Sequence, residues 1–157
     1  MAAAAEGVVT NLGGIASSAA AIPANVAGVT LVQCHLVAGI AHLRGYDLED
    51  PRVRNAILAC LLGEESVIKL VRSKRLPSSP MTLATSPIHD PQLDASLGRE
   101  VVVEIIARAA GKRAVSLLGR RIPVLGGVIG GSGDALSTWQ IGQYAADELK
   151  DRRVKTG

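Results

Sequence analysis

The sequence predicts an all-helical protein: a compact bundle of about five or six helices, with a glycine-rich helical hairpin and one proline-rich linker. Three observations carry this. Apolar residues recur at the helical period in the two clearest segments, 51–71 and 97–118, and no stretch shows the strict alternation of a half-buried strand. Hydrophobic residues make up 48% of the chain but aromatic ones only 2%, with no Phe, so Ala, Val, Ile and Leu must build the core. Small side chains of that kind let helix backbones pack closely. The 157 residues suit a single domain; at this length a chain buries roughly 68–70% of its unfolded surface, enough for a core without staples.

The first element to justify is the run from Gly7 to Leu43, which has no Asp, Glu, Lys or Arg. Pro23 divides it. The first half, VVTNLGGIASSAAA, is dominated by Ala, Gly, Ser and Thr; the second, Val26 to Ala41, is greasier but contains Gln33 and His35. A membrane-spanning helix wants about 20 strongly apolar residues. Two helices broken at Pro23 and buried in the core are therefore the expectation, with an interfacial hairpin as the alternative.

Gly45 is placed to end the second of these helices, since the left-handed turn after a helix suits glycine. Asp50-Pro51 then supplies an N-cap followed by proline at the first helical position, where the missing N–H costs nothing. The helix it opens carries Val53, Ala56, Ile57, Cys60, Leu61, Val67, Ile68 and Val71 on one face, with Gly63 as a place to kink. Residues 76–94 hold Pro77, Pro80, Pro87 and Pro91 and several Ser and Thr, which excludes a helix and predicts a flexible linker inside the domain of residues 1–157.

The strongest helix runs from Leu97 to Leu118. Val101, Val102, Ile105, Ile106, Ala109 and Val115 form its apolar face, opposite a stripe of Glu100, Glu104, Arg108 and Lys112. Glu104 placed before Arg108 is the favourable order for an i,i+4 ion pair. Pro123 opens a short glycine-rich helix or hairpin, and Ser132 or Asp134 is placed to cap the final helix.

Two blocks resemble the EcsC family. One is IPANVAGVTLVQCHLVAGIAHLRGYDLEDPRVRNAILACLLG, an apolar helix leading through a Gly-Tyr-Asp turn and an Asp-Pro step into a second helix. The other is RRIPVLGGVIGGSGDALSTWQIGQYAADEL, a glycine-rich hairpin followed by an amphipathic helix. Together they cover about half the chain. The resemblance implies a helical fold and, because the family takes its name from a protein encoded beside an ABC transporter, a setting at the membrane periphery. It supplies no catalytic residues. The proline-rich linker between the blocks, and Asp134 where a neutral Asn or small residue is expected, depart from the pattern.

Charge and composition exclude several functions. Net charge is +3, with signs mixed along the surface segments, as for an ordinary solvated surface. Tyr46, Tyr144 and Trp139 are the only aromatic platforms, so no nucleic-acid binding by base stacking is expected. Cys34 and Cys60 lie in apolar helical patterns and need no reading beyond small buried hydrophobes in a reducing compartment. The N-terminal MAAAAEG lacks the basic region of a secretory signal, which fits a cytoplasmic protein.

Each remaining constellation has a plain structural explanation. His35 and His42 share a helix face about 10.5 Å apart. Metal ligands on a helix stand at i and i+4, where Gly39 offers nothing, so partly buried or interfacial histidines are expected. Asp47-Leu48-Glu49-Asp50 lacks the ligand pattern of a calcium loop. Gly126, Gly127, Gly130, Gly131 and Gly133 follow no strand and precede no Gly-Lys-Ser/Thr, so no phosphate loop is expected. Gly126 with Gly130, and Gly127 with Gly131, instead space small residues for close helix approach. His89-Asp90 has no nucleophile beside it. Trp139 is expected to anchor a core or groove, with a membrane interface as the alternative.

No catalytic residue, metal or cofactor is predicted. The expected function is a non-enzymatic protein of the membrane periphery, meeting anionic membrane surfaces or a membrane-associated partner. Its candidate contacts are Lys69, Arg72, Lys74, Arg75, Arg120 and Arg121 by charge, with Gly126, Gly130 and Trp139. The alternatives are a soluble scaffold that self-associates as a homo-oligomer, and an enzyme using His35, His42, Asp47 and His89.

Overall fold

A computed structural model describes residues 24–119 and 126–153. Six helices and no strands occur among them: α1 (Ala24–Leu43), α2 (Pro51–Leu62), α3 (Glu64–Arg72), α4 (Pro80–Thr85), α5 (Pro91–Gly119) and α6 (Gly126–Glu148). The first half of the uncharged run, Pro123, Arg120 and Arg121 lie outside the described residues, as do the side chains of Ala109, Lys112 and Val115.

The boundaries follow from local chemistry. Gly45 has φ +84°, and the N–H groups of Gly45 and Tyr46 bond to the carbonyls of His42 and Ala41. That double bond closes α1 in a Schellman turn. Asp50 caps α2 by accepting from Arg52 N at 2.9 Å, with Pro51 at the first helical position. Gly63, at φ +83°, does more than kink the helix: it separates α2 from α3. Lys74, the non-glycine residue with positive φ (+58°) among the described residues, closes α3 by the same double-bond pattern, Lys74 N to Val71 O and Arg75 N to Leu70 O.

α2 is the central helix, with Val53, Ala56, Ile57, Ala59, Cys60, Leu61 and Leu62 all buried. α1, α4, α5 and α6 pack around it, while α3 packs chiefly on α2. Leu76, Leu97, Leu149, Val37 and Pro80 are among the most completely buried side chains and draw the surrounding elements into one core. Arg108 pairs with Glu104 at 3.0 Å and also donates to the carbonyls of Leu61 and Leu62, capping the C-terminus of α2 from α5.

The structure corrects three expectations. The proline-rich segment is not free of helix: α4 lies within it and α5 begins at Pro91 rather than Leu97. Pro80 and Pro91 each occupy the opening position of a helix, where proline is tolerated. No break occurs at Ser132 or Asp134; α6 runs unbroken through the glycine-rich stretch. And α1 is not a core helix, since 17% of the window Val26–Leu43 is buried.

Candidate membrane-facing surface

α1 and α6 lie side by side and parallel. Gln33, buried, donates to Thr138 Oγ1 at 3.1 Å; Leu36 meets Gly142; and Arg44, at the end of α1, donates to Leu149 O at 2.6 Å and to Ala146 O. Gly142 lets the helices close at this seam, because a Cβ there would stand 3.0 Å from Leu36 Cδ2 and the leucine tip would have to shift. The Arg44 guanidinium thus caps the free carbonyls at the end of α6 and locks the two helices in register. Arg152 returns a bond to Arg44 O at 2.9 Å and lies over the Tyr46 ring, 5.4 Å from its centre.

With the buried Gln33, Val37 and Ala41 on one side of α1, the helical period puts Gly28, Val32, His35, Leu36, Gly39, His42 and Leu43 on the other. Burial of Ile141, Ala145 and Leu149 likewise turns Ala135, Leu136 and Trp139 of α6 outward. Since Gln33 lies level with Ser137 and Thr138, Trp139 and Leu136 flank Val32 and Leu36 across the seam. Val32 is 60% exposed, Leu43 66%, Leu136 56% and Trp139 61%. The surface they form has no Asp, Glu, Lys or Arg between Ala24 and Leu43 or between Ala135 and Ala146. Charge returns at the C-terminal end, where a groove of about 580 Å³ is lined by Ile40, Leu43, Arg44, Asp147, Lys150 and Arg153. There Arg153 binds the Asp151 carboxylate and holds it at about 2.

The predicted contact residues fall into two places. Lys69, Arg72, Lys74 and Arg75 are exposed at the end of α3, where Arg75 pairs with Glu100 of α5. That cluster belongs to the α2–α3 side of the bundle and is not brought to Trp139. Gly126 and Gly130 lie in the opening turns of α6, upstream of Trp139. Trp139 is neither core nor groove anchor but a surface residue. His35 and His42 are both exposed rather than half-buried. The residues missed from the sequence are Val32, Leu36 and Leu136, together with Arg44, whose role depends on α6. An i,i+4 pair of large apolar residues in a run without charge was the available signal for the first two.

A second, polar region lies under the segment 77–90. A cavity of about 370 Å³ is lined by Arg52, Asn55, Ser78, Thr82, His89 and Asp90, among others. Arg52 is committed to both oxygens of Asp50 and to Ser86 O. Buried Asn55 donates to Asp94 Oδ1 at 2.7 Å, and His89 Nε2 lies 3.0 Å from the same oxygen. These bonds, with Tyr46 Oη on Met81 Sδ at 3.2 Å and Met81 N donating to Glu148 at 3.2 Å, fasten the segment to α2, α5 and α6. His89 is therefore a structural tie, distant from His35 and His42. Burial pushes the Cys34 and Cys60 thiols up, which keeps both in the unreactive protonated form at neutral pH.

The class the structure defines is an all-helical bundle with an uncharged apolar surface on one paired-helix face. The profile of the EcsC protein family matches residues 1–154, nearly the whole chain, and the protein belongs to that family. Neither the curated proteins nor the solved structures contain a match to it.

Proposed function

We propose that this is a membrane-peripheral, non-enzymatic protein that seats the outer face of α1 and α6 at the boundary between lipid headgroups and acyl chains. One observation carries the reading: Val26–Leu43, 18 residues of apolar helix, is mostly outside the core and has no formal charge. Its length, about 27 Å, approaches the hydrocarbon thickness of a bilayer. However, its inner face is taken up by Gln33, Val37 and Ala41 in the bundle, which favours lying in the interface over spanning it. Trp139 supplies the amphipathic ring typical of that depth. Arg44, Lys150 and Arg153, which line the groove at the end of the same face, supply attraction to anionic headgroups, partly offset by Asp147 and Asp151.

Flotation of the purified chain with zwitterionic and anionic liposomes, at low and high salt, tests the reading. Binding to both, with anionic vesicles favoured and part of the binding resistant to salt, is expected. Val32→Glu with Leu43→Glu should abolish it without unfolding the bundle, because both side chains are more than half exposed. Absence of flotation under every condition overturns the reading.

The same face supports a second reading, self-association. Gly28, Gly39 and Gly133 have open space where a Cβ would stand, so a second helix could approach closely there. Light scattering separates the two: a concentrated solution that remains monomeric excludes the dimer.

A further inference from the structure

We propose that His35 and His42 make the seating of this face pH-dependent, so that acidification transfers the protein from apolar contact with lipid to electrostatic contact with anionic headgroups. The inference rests on the membrane reading above and concerns its regulation. The two imidazoles stand on the outward ridge of α1, in line with Gly28 and Gly39 and two turns apart. They are the titratable side chains on a face whose other exposed residues are apolar, small or, as with Gln140 and Gln143 of α6, uncharged amides. Histidine is the side chain whose charge changes between about pH 5 and 8.

The neighbouring charges do not mask the pair. On α1 itself, Arg44 is the first charged residue and is turned to the carbonyls of α6. α6 carries Asp134 near its start and then none before Asp147 and Glu148; Asp147, with Lys150, Asp151 and Arg153, lies toward the His42 end of the face. α2, on the inner side of α1, carries Arg52 and Arg54, bound to Asp50 and Glu49 respectively. α5 brings Glu104 and Arg108, bound to each other. The turn after α1 adds Asp47. His35, midway along the helix, therefore has no charged group level with it on α6, and His42 has a mixed set.

When both rings are neutral the ridge enters the interface with no ionic group to desolvate. When both are protonated the ridge carries two cations, which resist entry into an apolar layer and are attracted to an anionic one. The signature is a change of sign between lipid types. Acidification weakens binding to zwitterionic vesicles and strengthens binding to anionic vesicles, the latter by about thirtyfold for two added charges near such a surface.

The experiment is vesicle binding of the full chain at about pH 5.5 and pH 8, with zwitterionic phosphatidylcholine vesicles and with vesicles containing phosphatidylserine. The variants are His35→Gln/His42→Gln, His35→Arg/His42→Arg and His89→Gln. Opposite pH responses on the two lipids, flat profiles in the Gln pair, and wild-type acid behaviour in the Arg pair at high pH are the expected results. His89→Gln should keep the wild-type response. Wild-type binding that is equal at the two pH values overturns the inference and leaves the membrane reading standing, as does a response that survives in the Gln pair. No binding by the wild type on either lipid at either pH overturns both.

Discussion

Asn55 offers the sharpest test of how the segment 77–90 is held. It is 4% exposed, and its amide donates at 2.7 Å to the Asp94 carboxylate that also meets His89. A hydrogen bond to a charged group is worth about 1.5–3 kcal/mol. Asp94 is 32% exposed, so water replaces part of what is lost when the amide is removed. Asn55→Ala should therefore cost about 2 kcal/mol, which for a domain of this size lowers Tm by about 4–8 °C. Asn55→Asp preserves the shape but sets a second carboxylate against the first. At neutral pH it should be less stable than the Ala variant, because repulsion is added to the lost bond. Toward about pH 5 the two carboxyls can share a proton and part of the difference should vanish. Thermal unfolding followed by circular dichroism at both pH values reads all of this. An Asp variant at least as stable as the Ala variant at neutral pH would refute the assignment of this pair as the tie.

Three further perturbations address the helix ends and the acid limb. Lys74→Gly relieves a side chain held at φ +58° and should raise stability by about 0.5–1 kcal/mol, measurable as a higher urea midpoint. Gly45→Ala should lower stability, by about 1–2 kcal/mol from the left-handed backbone alone, since the new Cβ also meets Arg153 Cγ at 3.1 Å; thermal melting gives the value. The hydrogen bond from Arg52 holds the Asp50 carboxyl below its ordinary 3.8. Its contribution to stability is therefore complete above that value and lost as pH falls through the lower folded-state value. The urea midpoint should drop in this acid window, and drop less in Arg52→Ala; a midpoint that rises on acidification contradicts the sign.

Where the chain's local chemistry decides the structure, the sequence was readable. Gly45, Asp50-Pro51 and the apolar face of α2 act through neighbours within a turn or two, and each is found where its residue type requires. Leu97, Val101 and Val102 are buried as the period of α5 demands, although Ile106 of the same predicted face is exposed. α4 was hidden because proline was counted as a breaker. The signal was position rather than number: Ser79-Pro80 and Asp90-Pro91 are both polar-proline steps of the kind that opens α2. The outward face of α1 could not be read, because the absence of charge looks the same in a core helix and in one with an exposed side. Arg44 with Leu149 and Asn55 with Asp94 join residues far apart in sequence, and no local pattern encodes such pairs.

The α1–α6 seam also bears on the order of events during synthesis. Its two helices meet through residues separated by about 105 positions, as in Gln33 with Thr138, whereas α2 through α5 find one another over much shorter spans. Closing so long a loop comes late in folding. At ribosomal elongation rates α1 waits roughly 5–20 s for its partner. During that interval the outward face of the helix and the side that later meets α6, with Gln33 and Leu36, are bare. The nascent chain is thus at its most adhesive before the bundle closes, and a membrane or chaperone close to the ribosome meets α1 before α6 does.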